Sequence, residues 1–557
     1  MKRRRFSVYC RKGTQLASFC LFLWLMARAV WPAPEPPLPR DLFLHLDPLA
    51  SLLSSLAARE CLNSLAVGIA LFVFSICFGR FFCGHICPMG TTLDIARFLG
   101  GLGIVKKKTS QMPPGRDRAL RRIKYLVLIV MSVTAFLGVN TYFWGSPIAL
   151  VTRFYALLLH PILLLAGDGA LHVLQPLFSM VESDLAYASV SLRRYDSLCF
   201  IVVFFAMLFL LERVKPRFWC RYLCPAGAVL ALAAHIPLWR RKVSHCTGCG
   251  VCAAHCPTEA ISQEGAACVH SECIACRSCG SVCPTRGVCF AVSVPKSLAM
   301  RGESPPETER MDFLPSRRLF VGASCAGAAL AATQYSGIHS LLGDSGRGTL
   351  WGEGLIRPPG SLPEPDFLDR CLRCGLCMKA CPENALQPAW VAAGAAGVFS
   401  PIVVPRRGPC EPDCTICGQV CPTAAIAPLS LQEKHWAKIG TAVVLQHRCL
   451  AWAEGRRCMV CQEVCPYGSI AIVQKSGQAV PVPVVDASRC FGCGYCETHC
   501  PVRVPAIVVE PLNALRLPEG AGYMARGKSL GLVLVPGAKS GTQEPLEDDA
   551  LPPGFSL

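Results

Sequence analysis

Charge is scarce in this sequence. Asp, Glu, Lys and Arg make up 17% of the 557 residues against 52% hydrophobic ones, and the mean hydropathy is +0.40. That balance excludes a disordered chain and puts part of the protein in lipid. Acid is the scarcer sign, 37 residues against 55 basic for a net +18. The excess does not point to nucleic acid, because Lys and Arg are not pooled on one domain but lie in short loops beside apolar segments. Also missing are a nucleophile–base pair, a phosphate-cradling glycine loop and a nucleotide fingerprint, so neither a hydrolase nor a nicotinamide enzyme is expected. What the chain has in excess is cysteine, 36 residues. Their tight C-x2-C spacing, in a chain long enough for roughly three or four modules of ~150 residues, excludes a small disulfide scaffold.

Apolar runs near the ~20 residues that cross a bilayer occur at 15–31, 62–79, 125–143 and, shorter, 197–211. The basic leader before the first is followed by the Pro-rich stretch 32–39 and no small-residue cleavage site, so it reads as an uncleaved span. Residues 1–12, 80–124 and 212–245 carry six, ten and seven Lys/Arg, whereas 32–60 and 144–196 carry two and three. The charged loops then face the cytoplasm. The stretch 154–181, broken by Pro161, Pro176 and Gly167-Asp-Gly169, is expected as two interfacial or re-entrant helices on the outer face, and 42–56 as an outer amphipathic helix.

Two matching signatures close the second and fourth runs: Cys83-x3-Cys87-Pro88 and Cys220-x3-Cys224-Pro225. They read as a shared four-thiolate metal site, as redox-active dithiols, or as reduced thiols before a helix-starting proline; the sequence leaves these open.

Next come Cys246-x2-Cys249-x2-Cys252-x3-Cys256-Pro and Cys273-x2-Cys276-x2-Cys279-x3-Cys283-Pro. This is two-cluster ferredoxin spacing, in which the fourth cysteine of each run serves the other run's cluster. Site I is then Cys246, Cys249, Cys252 and Cys283; site II is Cys273, Cys276, Cys279 and Cys256. Gly248, Gly250 and Gly280 are expected to permit the tight turns. Structural zinc is disfavoured, since it prefers one four-cysteine site from two separated pairs.

Residues 296–316 read as a Pro/Glu/Ser-rich linker. Ser316-Arg317-Arg318-Leu319-Phe320 and the small-residue apolar run behind it look like a twin-arginine signal, here internal and so a fifth span. Four more runs follow. The crossover rule gives site III (Cys371, Cys374, Cys377, Cys421), site IV (Cys410, Cys414, Cys417, Cys381), site V (Cys449, Cys458, Cys461, Cys500) and site VI (Cys490, Cys493, Cys496, Cys465). Wider gaps in runs IV and V insert loops without moving the other ligands. About six [4Fe-4S] clusters, each four-thiolate site worth about −2, would cancel about 12 of the positive charges. The eight cysteines at 10, 20, 61, 77, 199, 268, 289 and 325 are expected to be small buried hydrophobes.

The four-span part with its C-x3-C-P pair and trailing ferredoxin resembles NapH-type membrane quinol dehydrogenase subunits. The part from Ser316 onward looks like a NapG-type periplasmic four-cluster ferredoxin, by its twin arginine, Arg357-Pro-Pro-Gly360 and Val403-Val-Pro-Arg-Arg-Gly408. The chain departs from those families in being a fusion and in having no flavin-binding outer domain ahead of the first run. The expected fold is a membrane α-helical bundle of four spans plus the twin-arginine-like fifth, with α+β ferredoxin-like domains. Its expected parts are a membrane domain (1–240), a cytoplasmic two-cluster ferredoxin (241–295), a linker and fifth span (296–345), a periplasmic four-cluster ferredoxin (346–520) and a tail (521–557). The resemblance implies, in a bacterial inner membrane, electron transfer from the quinone pool to a periplasmic reductase or cytochrome c. No facing histidines offer a haem across ~30 Å of hydrocarbon, so quinol itself is the expected carrier, bound where 145–195 meets the exported domain. A maturation factor for a periplasmic metalloenzyme is the alternative, and an electron store the third reading.

Overall fold

The computed structural model describes residues 2–32, 37–60, 64–99, 114–180, 192–195, 198–235, 238–292, 315–335, 354–390, 393, 397–518 and 520–534. Cys61 and most of the linker and tail discussed above lie outside them.

The amino-terminal part is a helical bundle. Its long helices are α1 (Lys2–Arg28), α2 (Ser64–Phe78), α3 (Pro88–Leu99), α4 (Pro114–Phe136), α5 (His160–Met180) and α6 (Leu198–Val214), joined later in the chain by α7 (Arg317–Tyr335). Each apolar run of the sequence forms a helix, but few are long apolar rods. Among the described residues one helical stretch, Pro147–Gln175, is long and apolar enough to cross a membrane. The pair Ala66–Phe78 and Phe81–Leu99, bent by 90°, qualifies only when taken together. α6 has 17 residues, and α4 begins in charged sequence.

One expectation is overturned here. The stretch from residue 154 does not break into two short helices. It runs continuously from Pro147, through a π-helical turn Phe154–Leu159, into α5. The π turn lies directly ahead of Pro161, where the wider ladder accommodates the missing N–H. Gly167 and Gly169 stand on an open helix face with nothing near them. Their helix penalty of ~1 kcal/mol each is too small to end a helix. Leu157 and Leu158 are buried, whereas Leu163, Leu165 and Val173 are exposed.

α7 packs along α4 through Ala323, Gly327 and Ala331, spaced by four so that one small-residue seam faces the neighbour. A Cβ at Gly327 would lie 3.0 Å from both the Val130 carbonyl oxygen and Val133 Cβ. Gly327→Leu should therefore cost about 1–3 kcal/mol through overpacking, read as a lower unfolding temperature in detergent. An unchanged temperature would show that the seam is not a tight contact.

The remainder consists of three small modules, each closed by pairing its two ends. In the first, Trp239–Val243 pairs antiparallel with Val288–Val292. In the second, Ser361 bridges Ile426, with Leu362 and Ala427 N–H groups bonded across to Ala425 and Gly360. In the third, Thr441–Val444 pairs with Ile507–Glu510. Each closure encloses two cysteine runs, which pairs the runs in sequence order.

The modules sit at opposite ends of the bundle. α6, about 25 Å long at 1.5 Å per residue, has Phe200 packed edge-to-face against Trp390, ring centroids 4.7 Å apart, near its start. Just past its end, Lys215 Nζ lies 3.0 Å from a Glu259 carboxylate oxygen. α4 repeats the pattern in reverse: Lys124 meets Glu272, and Asn140 beyond its far end meets Cys371. One continuous apolar core runs from Phe22 and Leu25 of α1 through Leu49, Leu150 and Val151 to Leu376 and Met378 of the second module.

Candidate metal centres

The cysteine runs wrap because the backbone between them turns left-handed at fixed places. In all four C-x2-C-x2-C runs the residues two and four beyond the first cysteine have positive φ: Gly248 and Gly250, Ala275 and Arg277, Arg373 and Gly375, Gly492 and Gly494. Three of these eight are not glycine, at roughly 1–2 kcal/mol each. Gly280, expected as a turn residue, instead lies inside the short helix Ser278–Val282. In every run a short helix carries the chain to the fourth cysteine, where proline follows.

The crossed sets come together. One cavity of about 320 Å³ is lined by Cys246, Cys249, Cys252 and Cys283. Another, about 360 Å³, is lined by Cys371, Cys374, Cys377 and Cys421. Cys449, Cys458, Cys461 and Cys500 line a third of about 400 Å³. Cys465, Cys490, Cys493 and Cys496 line a fourth of about 280 Å³. In the remaining two sets, Cys256 with Cys273, Cys276 and Cys279, and Cys381 with Cys410, Cys414 and Cys417, the thiols oppose one another's ionisation, as neighbours do.

The cages fit clusters better than a single ion. Among the described residues no three His, Cys, Asp or Glu side chains converge on one point, as tetrahedral zinc would require. Backbone N–H groups aim at the sulfurs: Ala260 at Cys256 (3.3 Å), Ala442 at Cys490 (3.3 Å), Ile426 at Cys421 (3.5 Å) and Ala506 at Cys500 (3.4 Å). Such bonds favour a thiolate ligand. Burial, reinforced by neighbouring thiolates, pushes Cys279, Cys374, Cys414 and Cys461 up to about 12 and Cys371 to about 11. Without iron these thiols are protonated at neutral pH, and ligation must displace about four protons per cluster. Reconstitution of the apo chain at limiting iron should therefore improve as pH rises and weaken on acidification. Charge-transfer absorbance measures the occupancy; a flat profile between about pH 6 and 9 would mean the thiols were already ionised.

Sites III and IV meet the bundle. Asn140 donates to the carbonyls of Leu368, Asp369 and Cys371, all at 3.1 Å. Arg153, buried, donates to the Arg373 carbonyl at 2.8 and 3.0 Å. Arg193 reaches the carbonyls of Lys379 and Cys381. Lys379, only 2% exposed, donates to Met26 (2.5 Å) and Ala29 (3.1 Å) carbonyls. It thereby caps the carboxy-terminal end of α1. Site IV touches site VI directly: the Cys410 N–H bonds the Cys493 carbonyl at 2.7 Å. Site IV is thus the contact between the second module and the third, through site VI.

At the other end the first module is held by buried ion pairs. Glu272, fully buried, meets Arg80 at 2.9 Å and Lys124 at 2.5 Å. Glu259 meets Lys215 and Arg221, and its carboxyl stays below the usual range because both cations outweigh burial. These docking residues were not foreseen; Glu272 immediately before Cys273 and Lys379 between two site cysteines were the available signals. The expectation that the leftover cysteines are small buried hydrophobes fails for most of them: of the seven described, only Cys268 is buried, and it is hydrogen-bonded to Cys273, whereas Cys77 is half-buried and Cys10, Cys20, Cys199, Cys289 and Cys325 lie exposed on outer faces of their elements. Cys83, Cys87, Cys220 and Cys224 meet where the bundle contacts the first module.

Family comparison agrees with this geometry. A family described as "4Fe-4S binding domain" matches residues 62–108 and 197–244, a second of that description matches 242–262 and 367–387, and a "4Fe-4S dicluster domain" matches 456–504. The methylamine utilization ferredoxin-type protein MauM of Methylorubrum extorquens is 33% identical over 230 residues, 40% of this chain and 96% of the relative. Ferredoxin-type protein NapG of Escherichia coli is 38% identical over 178 residues, 30% of this chain and 75% of the relative. NapF of the same organism is 33% identical over 159 residues, 28% of this chain and 87% of the relative. No solved structure matches. With its cysteine cages and these relatives together, the chain belongs to the MauM/NapG family of ferredoxin-type iron–sulfur electron-transfer proteins.

Proposed function

We propose that this protein is a fusion of a NapH-type membrane quinol dehydrogenase subunit with a NapG-type ferredoxin, carrying electrons from the quinone pool to a periplasmic reductase or cytochrome c. In this reading the bundle lies in a bacterial inner membrane, with 241–295 cytoplasmic and the residues after about 345 periplasmic. Sites I to VI hold six [4Fe-4S] clusters through the cysteines named for each. Bound clusters would supply one-electron storage at each site. The protein's own residues hold the thiolates, exclude water and fix the spacing between sites.

The observation that carries the reading is the seating of site III on the bundle's outer end. Asn140, Arg153 and Arg193 grip the backbone around Cys371 and Cys381, and Lys379 locks that module to α1. A soluble carrier that shuttles between partners has no need of such a socket, whereas an electron acceptor for a lipid-borne donor does. The relatives' names refer to methylamine utilization and to Nap ferredoxins, and we infer a periplasmic oxidoreductase system as the destination.

The test is anaerobic addition of a reduced menaquinol analogue to the full-length protein, with cluster reduction followed by EPR. Reduction of the clusters supports quinol oxidation. Clusters that stay oxidised with quinol yet reduce with dithionite would remove quinol as donor and bring the maturation-factor reading forward.

A further inference from the structure

The two C-x3-C-P signatures are parts of a longer repeat. Arg80-Phe-Phe-Cys83-x3-Cys87-Pro88 and Arg217-Phe-Trp-Cys220-x3-Cys224-Pro225 share an arginine three residues ahead of the first cysteine and two aromatics between. Each follows an apolar helix, α2 or α6. Each then makes one short turn, Phe81–His85 or the π-helical Trp219–Leu223, and puts its proline at the head of the next helix.

The fold exchanges contacts between the two copies. Arg217 donates to the Cys83 carbonyl at 3.2 Å, and Arg80 donates to the Cys220 carbonyl at 3.4 Å. A reciprocal swap is what a two-fold relation between the motifs produces. The exchange brings the thiols near one another, so that Cys83 and Cys87 both oppose ionisation of Cys220 and Cys224. Cys87 and Cys224 are buried, the other two half-buried. Both arginines are 2% exposed, and each has its own carboxylate, Glu272 for Arg80 and Asp94 for Arg217.

The first ferredoxin forms the lid. A Cβ on Gly84 would lie 2.3 Å from the Ile274 carbonyl oxygen, so the two backbones are in direct contact and only glycine fits. Ile274 stands between Cys273 and Cys276 of site II. Neither half could cage a cluster alone. The matched segments 62–108 and 197–244 each add one further cysteine, but Cys199 is exposed at the far end of α6 and Cys77 lies on α2 ahead of the turn.

We propose that Cys83, Cys87, Cys220 and Cys224 form one four-thiolate centre that holds a single [4Fe-4S] cluster, shared between the two halves of the bundle and coupled to site II. The step is one-electron: a reduced site II cluster passes from the 1+ to the 2+ core as the shared cluster passes from 2+ to 1+, with no bond or proton moved. The first ferredoxin then exchanges electrons with the bundle, not with the outer clusters at the other end.

The test counts iron in full-length protein prepared anaerobically. Wild type should hold about 28 irons per chain, four for each of seven clusters, against about 24 without the shared centre. C83S/C87S and C220S/C224S should each lose the same four or so irons, the quadruple variant should lose no more, and the EPR broadening of site II should narrow in all three. C77S and C199S should change nothing. Additive losses in the two double variants would overturn a shared centre, as would unchanged iron with two or four extra alkylatable thiols after reduction, which marks redox dithiols. A site among I to VI that holds no iron would instead show as no loss when its own cysteines are substituted, so failure of the six-cluster reading is told apart. A misfolded variant is recognised by losing more than the four, and the wild-type count stands without any variant.

Discussion

Glu272→Ala should loosen the first ferredoxin from the bundle and lower stability by about 3–5 kcal/mol, the cost of breaking a buried ion pair from one side. The carboxylate is fully buried, as is Lys124, and Arg80 is 2% exposed. Removing it leaves two cations in a water-free contact with no anion. That loss is a large fraction of the ~5–15 kcal/mol that holds a domain together. Burial raises the Glu272 carboxyl, but Lys124, Arg80 and Arg121 together outweigh it, and the net direction is down. With the folded value depressed, its contribution is fully present above the unfolded glutamate value of ~4.3 and is lost only as pH falls through the lower folded value. Wild-type docking should therefore weaken in acid as Glu272 is protonated, while the variant is already weak at neutral pH. Thermal unfolding in detergent, followed by the EPR signature of site II, measures both. A variant as stable as wild type at pH 7 would show that the contact is solvated and contributes little.

The cysteine cages were legible in the sequence because iron ligation is local. In most sites three of the four thiolates fall within one short run, whatever the rest of the fold does, and the crossed fourth ligand follows from how small such a module is. The backbone that makes the wrap was less legible. Gly280 looked like a turn and is helical, whereas Ala275, Arg277 and Arg373 took left-handed conformations with no glycine to announce them. Those φ values are imposed by closure around the site and not by residue preference. The continuous helix through Pro161 was hidden for a related reason: a π turn upstream, visible only in three dimensions, removes the proline's usual consequence.

The basic loops were read as a record of membrane orientation. Arg80, Arg121, Lys124, Lys215, Arg217 and Arg221 have a second occupation, pairing with Glu272, Asp117, Glu259 and Asp94. Several of those partners lie more than a hundred residues away in the chain. No window along the sequence brings them together, so charge counting sees the cations and misses the docking surface. Lys379 is the same case at the other end: a charged residue between two site cysteines, explained only when α1 presents its open carbonyls.

Lys434→Met should shift the reduction equilibrium of site IV at least tenfold toward the oxidised form, about 59 mV for one electron, with a smaller shift at site VI. Lys434 lies on the short helix Leu431–Trp436 and is 5% exposed. Its ammonium sits 3.6 Å from Cys410 Sγ and donates to the Glu411 carbonyl at 3.2 Å. Among the described residues no carboxylate pairs with it. An unpaired buried ammonium costs several kcal/mol, so its countercharge must be the thiolates of sites IV and VI, whose backbones touch at Cys410 and Cys493. Reduction adds one negative charge to a cluster beside this cation. Removing the cation therefore penalises the reduced state, and does so where the backbones of sites IV and VI touch. EPR-monitored redox titration reads the shift, and Lys475→Met, whose cation lies over the Trp452 ring, is the control. The same substitution should act with opposite sign on the two forms of the protein. In the apo chain, where the thiols are protonated, methionine relieves an uncompensated charge and should raise stability; in the loaded chain it removes a pair and should lower it. Equal effects on both forms, or an unmoved potential at full iron content, would show that the charge of Lys434 is balanced elsewhere.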